Sequence, residues 1–226
     1  MKRLIIYLLL TTLSVVVCGQ RFPYSNSAHL SSDYPSILND GNTLAWFVGS
    51  SGITTDGQDS VTVWTDIFNS ETLTATDGTG NCPYLNGDTL EFDGDKNHLL
   101  GSFTWDAPSN LYVVMRQDSW SINEALMSDA GTGSIFLQQR TASPQIRLSG
   151  SSGNSSNSSD LPIGDWGLVQ IVVTSGNDTL WINNETPIVG NFVDMNFGGV
   201  SLGADQGEAS FGNISVAEVV CRTSRS

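Results

Sequence analysis

Three groups of side chains in this sequence have the types and spacing to do chemistry. The first is Glu91, Asp93 and Asp95, carboxylates at alternate positions of EFDGD. Strand residues two apart share a side at a separation of about 6.6 Å, near the ~5 to 5.5 Å that a displacement between two carboxylates requires. Asp93-Gly94 is also a tight-turn signal, and turn chemistry is the stronger reading. The same oxygens suit a hard cation: Asp93, Asp95 and Asn97 make a candidate calcium set, with a solvated acidic turn as the alternative.

The second group is cationic. Alternation in NLYVVMRQ, SIFLQQR and QIRLS puts Arg116, Arg140 and Arg147 on the side of each strand away from its apolar residues. If the three strands are adjacent, a basic patch results, with Gln138 and Gln145 as hydrogen-bonding neighbours. Arginine forks match carboxylate or sulfate oxygens bidentately, so the expected partner is an anionic polysaccharide. Isolated arginines paired with local carboxylates are the alternative. The third group is aromatic, since a ring face packs against the apolar side of a sugar. Tyr84, Trp105 and Trp120 are the candidates, and Trp120 in QDSWSINE is the best placed. Trp46, Trp64, Trp166 and Trp181 fall in strands and are assigned to core or sheet-surface packing. The carbohydrate-binding set is therefore Arg116, Trp120, Gln138, Arg140 and Arg147.

Other chemistries lack their parts. His29 and His98 are the only histidines, which leaves little for a zinc centre or a Ser-His-Asp triad. No HExxH, GxGxxG or P-loop is present. A formal net charge of −14 disfavours nucleic acid and anionic membranes as partners.

The elements that must position these residues read as strands. In Asp165 to Pro187 two alternating apolar runs meet at Ser175-Gly176-Asn177-Asp178, a β-hairpin signal. Val169, Ile171 and Val173 share one side of the first arm, and Trp166, Leu168, Gln170 and Val172 the other. Leu180 and Ile182 give the second arm a core side. Further short strands recur between Leu44 and Thr223, and no segment of ten or more residues keeps a 3.6-residue period. The expected fold is all-β, a two-sheet antiparallel β-sandwich.

The first residues, MKRLIIYLLLTTLSVVVCGQ, have the layout of a secretory signal, with cleavage expected near Gly19-Gln20. Their apolar run falls short of the roughly 20 residues of a membrane span, and no later segment approaches it. Residues 1–19 are thus read as a signal peptide, 20–40 as a lead-in arm and 41–226 as one domain, secreted or at the cell surface. Lipidation at Cys18 is the weaker alternative, because Val17 is a poor residue to precede it. In an oxidising compartment Cys82 and Cys221 could pair, a bridge worth about 4 kcal/mol, or stay as buried thiols.

The series LAWFVGSSGITTDGQDSVTVWTD, TLEFDGDKNHL, WGLVQIVVTSGNDTLWIN and SLGADQGEASFGNISVAEVV resembles the concanavalin A-like lectin/glucanase superfamily, in its laminin-G-type branch. The matching positions are framework residues, so the resemblance implies a jelly-roll fold more strongly than an activity. The glucanase branch carries its acid and nucleophile as alternating carboxylates, but no Glu stands at the third position here. The expectation is a secreted, non-catalytic carbohydrate- or glycan-binding module. The alternatives are a polysaccharide hydrolase or lyase on the same fold, and an adhesive component of a surface or virion assembly.

Overall fold

Short alternating segments, punctuated by Gly, Asn, Asp and Ser, fold into strands throughout the part of the chain that the computed structural model describes. That part is residues 38, 40–76, 82–131, 135–139, 142–150, 153–154, 159–174, 177–190, 197–205 and 209–223. Residues 1–19 and most of the lead-in arm lie outside it, as does Arg140. Leu44–Ser226 makes one unit.

In chain order the strands are β1 (Thr43–Val48), β2 (Ile53–Thr55), β3 (Val61–Thr65), β4 (Thr72–Thr74), β5 (Tyr84–Asn86) and β6 (Thr89–Asp93). Then come β7 (Leu99–Gly101), β8 (Ser109–Gln117), β9 (Ala125–Ser128), β10 (Ile135–Gln139), β11 (Gln145–Gly150) and β12 (Gly153–Asn154). The series closes with β13 (Ser159–Asp160), β14 (Trp166–Val173), β15 (Asp178–Ile182), β16 (Ile188–Gly190), β17 (Val200–Leu202) and β18 (Asn213–Thr223). No helix occurs among the described residues.

These strands form two sheets. One has eight strands in the order β16-β15-β14-β8-β18-β6-β5, with β1 also on β18; the other has ten, in the order β12-β11-β10-β9-β17-β7-β4-β3-β2, with β13 also on β11. The protein is an all-β antiparallel sandwich. The predicted hairpin is β14-β15, with Val169 opposite Ile182 and Val172 opposite Thr179.

Alternation decides the inside of each sheet. In β8, Leu111, Val113 and Met115 are buried while Asn110, Tyr112, Val114 and Arg116 are half-buried. In β14, Val169, Ile171 and Val173 point inward. They meet Trp64, Leu73, Leu99, Met127, Leu137 and Leu148 from the ten-stranded sheet, and Trp105 stacks on Phe197 with ring centres 4.4 Å apart. Trp105, expected as a sugar platform, is only 1% exposed and belongs to this core.

The framework positions have local jobs. Asp66, just past the core residue Trp64, accepts hydrogen bonds from the amides of Phe68, Asn69 and Glu71 and so shapes the 67–71 loop. At the Asp93-Gly94 turn Gly94 has φ +75°, and a Cβ there would stand 2.8 Å from Cβ of Asn213. Only glycine fits that close approach.

Cys82 and Cys221 are both buried, and no bridge joins them, the second of the two arrangements the sequence leaves open. Tyr84, two residues after Cys82, is level with Glu91 and Ser215 across β5, β6 and β18. Cys221 lies six residues beyond Ser215 on β18, about 20 Å along a strand. A disulfide needs Cα atoms within ~7 Å.

Candidate functional site

The two outer faces of the sandwich differ. In the ten-stranded sheet every residue of β9 and β17 is buried, so its middle is covered on both sides. Ser128 and Ser201 there donate their hydroxyls to the Ala204 carbonyl, at 3.2 and 3.0 Å. The outer residues of β8 and β14 in the eight-stranded sheet remain half-exposed.

On that face, half-exposed along β8 and β14 but mostly buried along β18, where Ser215 is 0% exposed, the strand register builds a transverse row. Tyr84 of β5 is the Cα partner of Glu91 on β6, Glu91 of Ser215 on β18, Ser215 of Arg116 on β8, and Arg116 of Trp166 on β14. Four inter-strand steps make the row about 19 Å long. Its outward direction follows from the neighbours: Leu90, Phe92, Ile214, Val216 and Met115 are all core. Tyr84 is 51% exposed at one end and Trp166 half-exposed at the other.

The middle of the row is a polar network. Arg116 Nε donates to Asp118 Oδ1 in a tight ion pair, and Arg116 Nη2 donates to Ser215 Oγ at 3.0 Å. Ser215 Oγ in turn donates to Asp118 Oδ2 at 2.5 Å. Both carboxylate oxygens of Asp118 are thereby engaged, while three of the five guanidinium N–H groups remain for a ligand. The guanidinium carbon lies over the Trp166 ring, 5.3 Å from its centre, a cation–π contact. Glu91 Oε1 accepts from Asn86 Nδ2 at 2.7 Å.

The next levels of the face are more apolar. Leu168, Val114 and Glu218 share one level, and Trp181, Gln170, Tyr112 and Val220 another. Gln170 Nε2 donates to the Tyr112 hydroxyl at 3.3 Å. Glu218 Oε1 accepts from the Trp46 indole at 2.6 Å, and burial pushes the Glu218 carboxyl above its ordinary range against the opposing effect of that hydrogen bond.

The predicted arginine patch is not one surface. Arg116 stands on β8 in the eight-stranded sheet and Arg147 on β11 in the ten-stranded one. Arg147, though it faces away from the core, is 7% exposed, and its Nε and Nη2 both donate to Gln138 Oε1, at 3.1 and 2.7 Å. Gln138 Nε2 donates to the Asn123 carbonyl at 2.9 Å. These two residues therefore pin the 118–124 loop, which crosses from one sheet to the other. Trp120 in that loop is half-buried, with its indole N–H 3.5 Å from the Gln145 carbonyl. Ile122 at its tip is 51% exposed.

The predicted calcium residues hold a turn. Asp93 Oδ1 accepts from the amides of Asp95, Lys96 and Asn97, at 2.9, 3.3 and 3.4 Å. Asp95 is exposed, and Asn97 is buried with its Nδ2 unpartnered. Calcium wants six to eight oxygens, and of the three predicted side chains Asp93 already gives Oδ1 to three turn amides. No three His, Cys, Asp or Glu side chains converge on a metal-sized point among the described residues.

A shallow cleft of about 380 Å³ lies elsewhere, between β4 and β7, lined by Thr72, Thr74, Thr76, Leu100 and Ser102 among others. It has no aromatic ring in its lining. Trp166, the residue that completes the row, was assigned from sequence to packing; its signal was its place on the Leu168 and Gln170 side of the strand.

No protein-family model matches the chain, and no curated protein matches it. Solved structures do share its fold. A Trypanosoma rangeli sialidase in complex with sialic acid superposes with a TM-score of 0.62 at 13% identity, over 82% of this chain and 31% of that one. An α-L-arabinofuranosidase soaked with a cyclic sulfate inhibitor gives 0.58 at 14% identity, over 83% of this chain and 61% of that one. A chain from work on endo-acting O-glycanases of the human gut microbiota gives 0.54 at 11% identity, over 81% of this chain and all of that one. The chain thus spans about a third of the sialidase, and what it shares with all three is a β-sandwich fold.

Proposed function

We propose that this chain is a secreted, non-catalytic glycan-binding module of the laminin-G-type, concanavalin A-like jelly-roll class, and that the open face of its eight-stranded sheet is the binding surface. The observation that carries the reading is the row Tyr84, Glu91, Ser215, Arg116 and Trp166 on one level of five adjacent strands. Sugars present hydroxyls along their edges and apolar C–H faces, and a surface with aromatic ends and a planar polar centre complements both. The glycan-acting proteins named among the fold neighbours agree with a carbohydrate ligand.

Binding is favoured over hydrolysis by how the carboxylates are used. A retaining pair needs two carboxyls facing one bond, whereas Asp93 is committed to three turn amides and Glu91 to Asn86. The test is retention of the secreted protein on immobilised polysaccharides, with Tyr84→Ala and Trp166→Ala beside the wild type. Retention of the wild type, lost in Trp166→Ala at unchanged melting temperature, supports the reading. Release of new reducing ends points to the enzyme instead, and self-association without retention points to an assembly component.

A further inference from the structure

The polar centre of the row carries one arginine, and its charge is already answered. Asp118 lies one turn residue past the end of β8, and the amides of Asp118 and Ser119 both donate to the Asn213 carbonyl, which anchors the start of the 118–124 loop. Its carboxylate takes Arg116 on one oxygen and Ser215 on the other. Arg116 and Asp118 side chains are 29% and 23% exposed, so the pair sits at the surface where a ligand would arrive. The other charges on this level and its margin, Glu91 and Asp93, are negative. The chain as a whole carries −14.

We propose that Asp118 sets the ligand class of this face: by neutralising Arg116 it makes the surface accept an uncharged glycan chain lying across the strands and reject uronates. This rests on the glycan-binding reading of the face. Arg116 already gives its Nε to Asp118 and one Nη2 N–H to Ser215, so a ligand carboxylate approaching the remaining N–H groups would compete with Asp118 for a charge already answered and would meet a field of its own sign. Hydroxyls face no such competition. The remaining guanidinium N–H groups donate to them, and the carboxylates of Asp118 and Glu91 accept from them. The aromatic ends then set the length of chain that fits, because a ligand must reach both Tyr84 and Trp166 to use them.

The experiment is calorimetric titration of the secreted chain with neutral oligosaccharides (gluco-, manno- and xylo-oligomers) and with oligouronates of matched lengths, at low and high salt, repeated with Asp118→Asn. The expected result is that a neutral series binds independently of salt, with uronates at least about tenfold weaker, a preference of roughly 1.4 kcal/mol. Asp118→Asn, which keeps the loop geometry but releases the Arg116 charge, should raise uronate affinity at low salt. Its melting temperature, read in parallel, shows whether the variant is folded. Tight, salt-sensitive uronate binding by the wild type, or no uronate gain in a folded Asp118→Asn, overturns this inference and leaves the glycan-binding reading standing. Binding of no oligosaccharide of either class overturns that reading as well.

Discussion

Arg116 and Trp166 are Cα partners across β8 and β14, and the guanidinium carbon of the first stands 5.3 Å from the ring centre of the second. The pairing makes each the template for the other. A planar cation over the indole limits its rotamers, and Asp118 and Ser215 fix the fork from the opposite side. The ring is thus held ready at the end of the row before a ligand arrives, which lowers the ordering cost of binding.

Arg116→Lys keeps the charge and discards the fork. An ammonium cannot reach Asp118 and Ser215 in the same bidentate way, so glycan retention should weaken about tenfold. The pair is partly exposed, and stability should change by no more than about 1 kcal/mol. Affinity electrophoresis and thermal melts check both halves of the expectation.

Glu218 gives the fold a pH signature. Burial raises its folded-state pKa above the ordinary 4.5, opposed by the hydrogen bond from Trp46. A raised folded value means the contribution is fully present below the unfolded pKa and is lost as pH rises through the folded one. Glu218→Gln, whose amide oxygen still accepts from Trp46, should therefore gain stability relative to the wild type as pH climbs above 4.5. Melting curves of the two proteins from acid to neutral pH read this difference directly; a constant offset across the range would contradict it.

The periodic parts of the sandwich were legible in the sequence for a simple reason. Alternation states which side of a strand faces the core, and Val169, Ile171, Val173, Leu180 and Ile182 all lie where it put them. Asp93-Gly94 was legible too, because its turn is chemical and local. The arginine patch was not, since alternation says nothing about which sheet a strand joins. Arg116 and Arg147 each face away from the core, yet on opposite layers. Nor does facing away mean reaching solvent: Arg147 is buried with Gln138, while Trp166, read as packing, is half-exposed. Register between strands distant in sequence aligned Tyr84, Ser215 and Trp166, and no local pattern encodes it.

Calcium should not stabilise this protein. Asp93 spends one oxygen on three backbone amides, and Asp95 beside it is exposed. Melting temperature with millimolar calcium should equal that with a chelator. A calcium-dependent rise of several degrees would require ligands this loop does not supply.

Both cysteines should be silent to thiol reagents in the folded state and react on unfolding. Burial pushes both thiols up, Cys221 most strongly, with Asp56 adding to the effect at Cys82 and Asp66 at Cys221. The thiolate that would react is therefore suppressed as well as shielded. Mass spectrometry after alkylation, native against denatured and without reductant, counts them; a mass showing the pair oxidised would contradict the free-thiol arrangement.

Where a sugar lands is the most direct test of the binding face. Backbone amide shifts of the isotope-labelled protein, followed during titration with a neutral oligosaccharide that it retains, should move at Glu91, Arg116, Trp166 and Ser215 and stay still around Thr74 and Leu100. Shifts confined to the Thr72–Ser102 cleft or to the tip of the 118–124 loop would contradict the account.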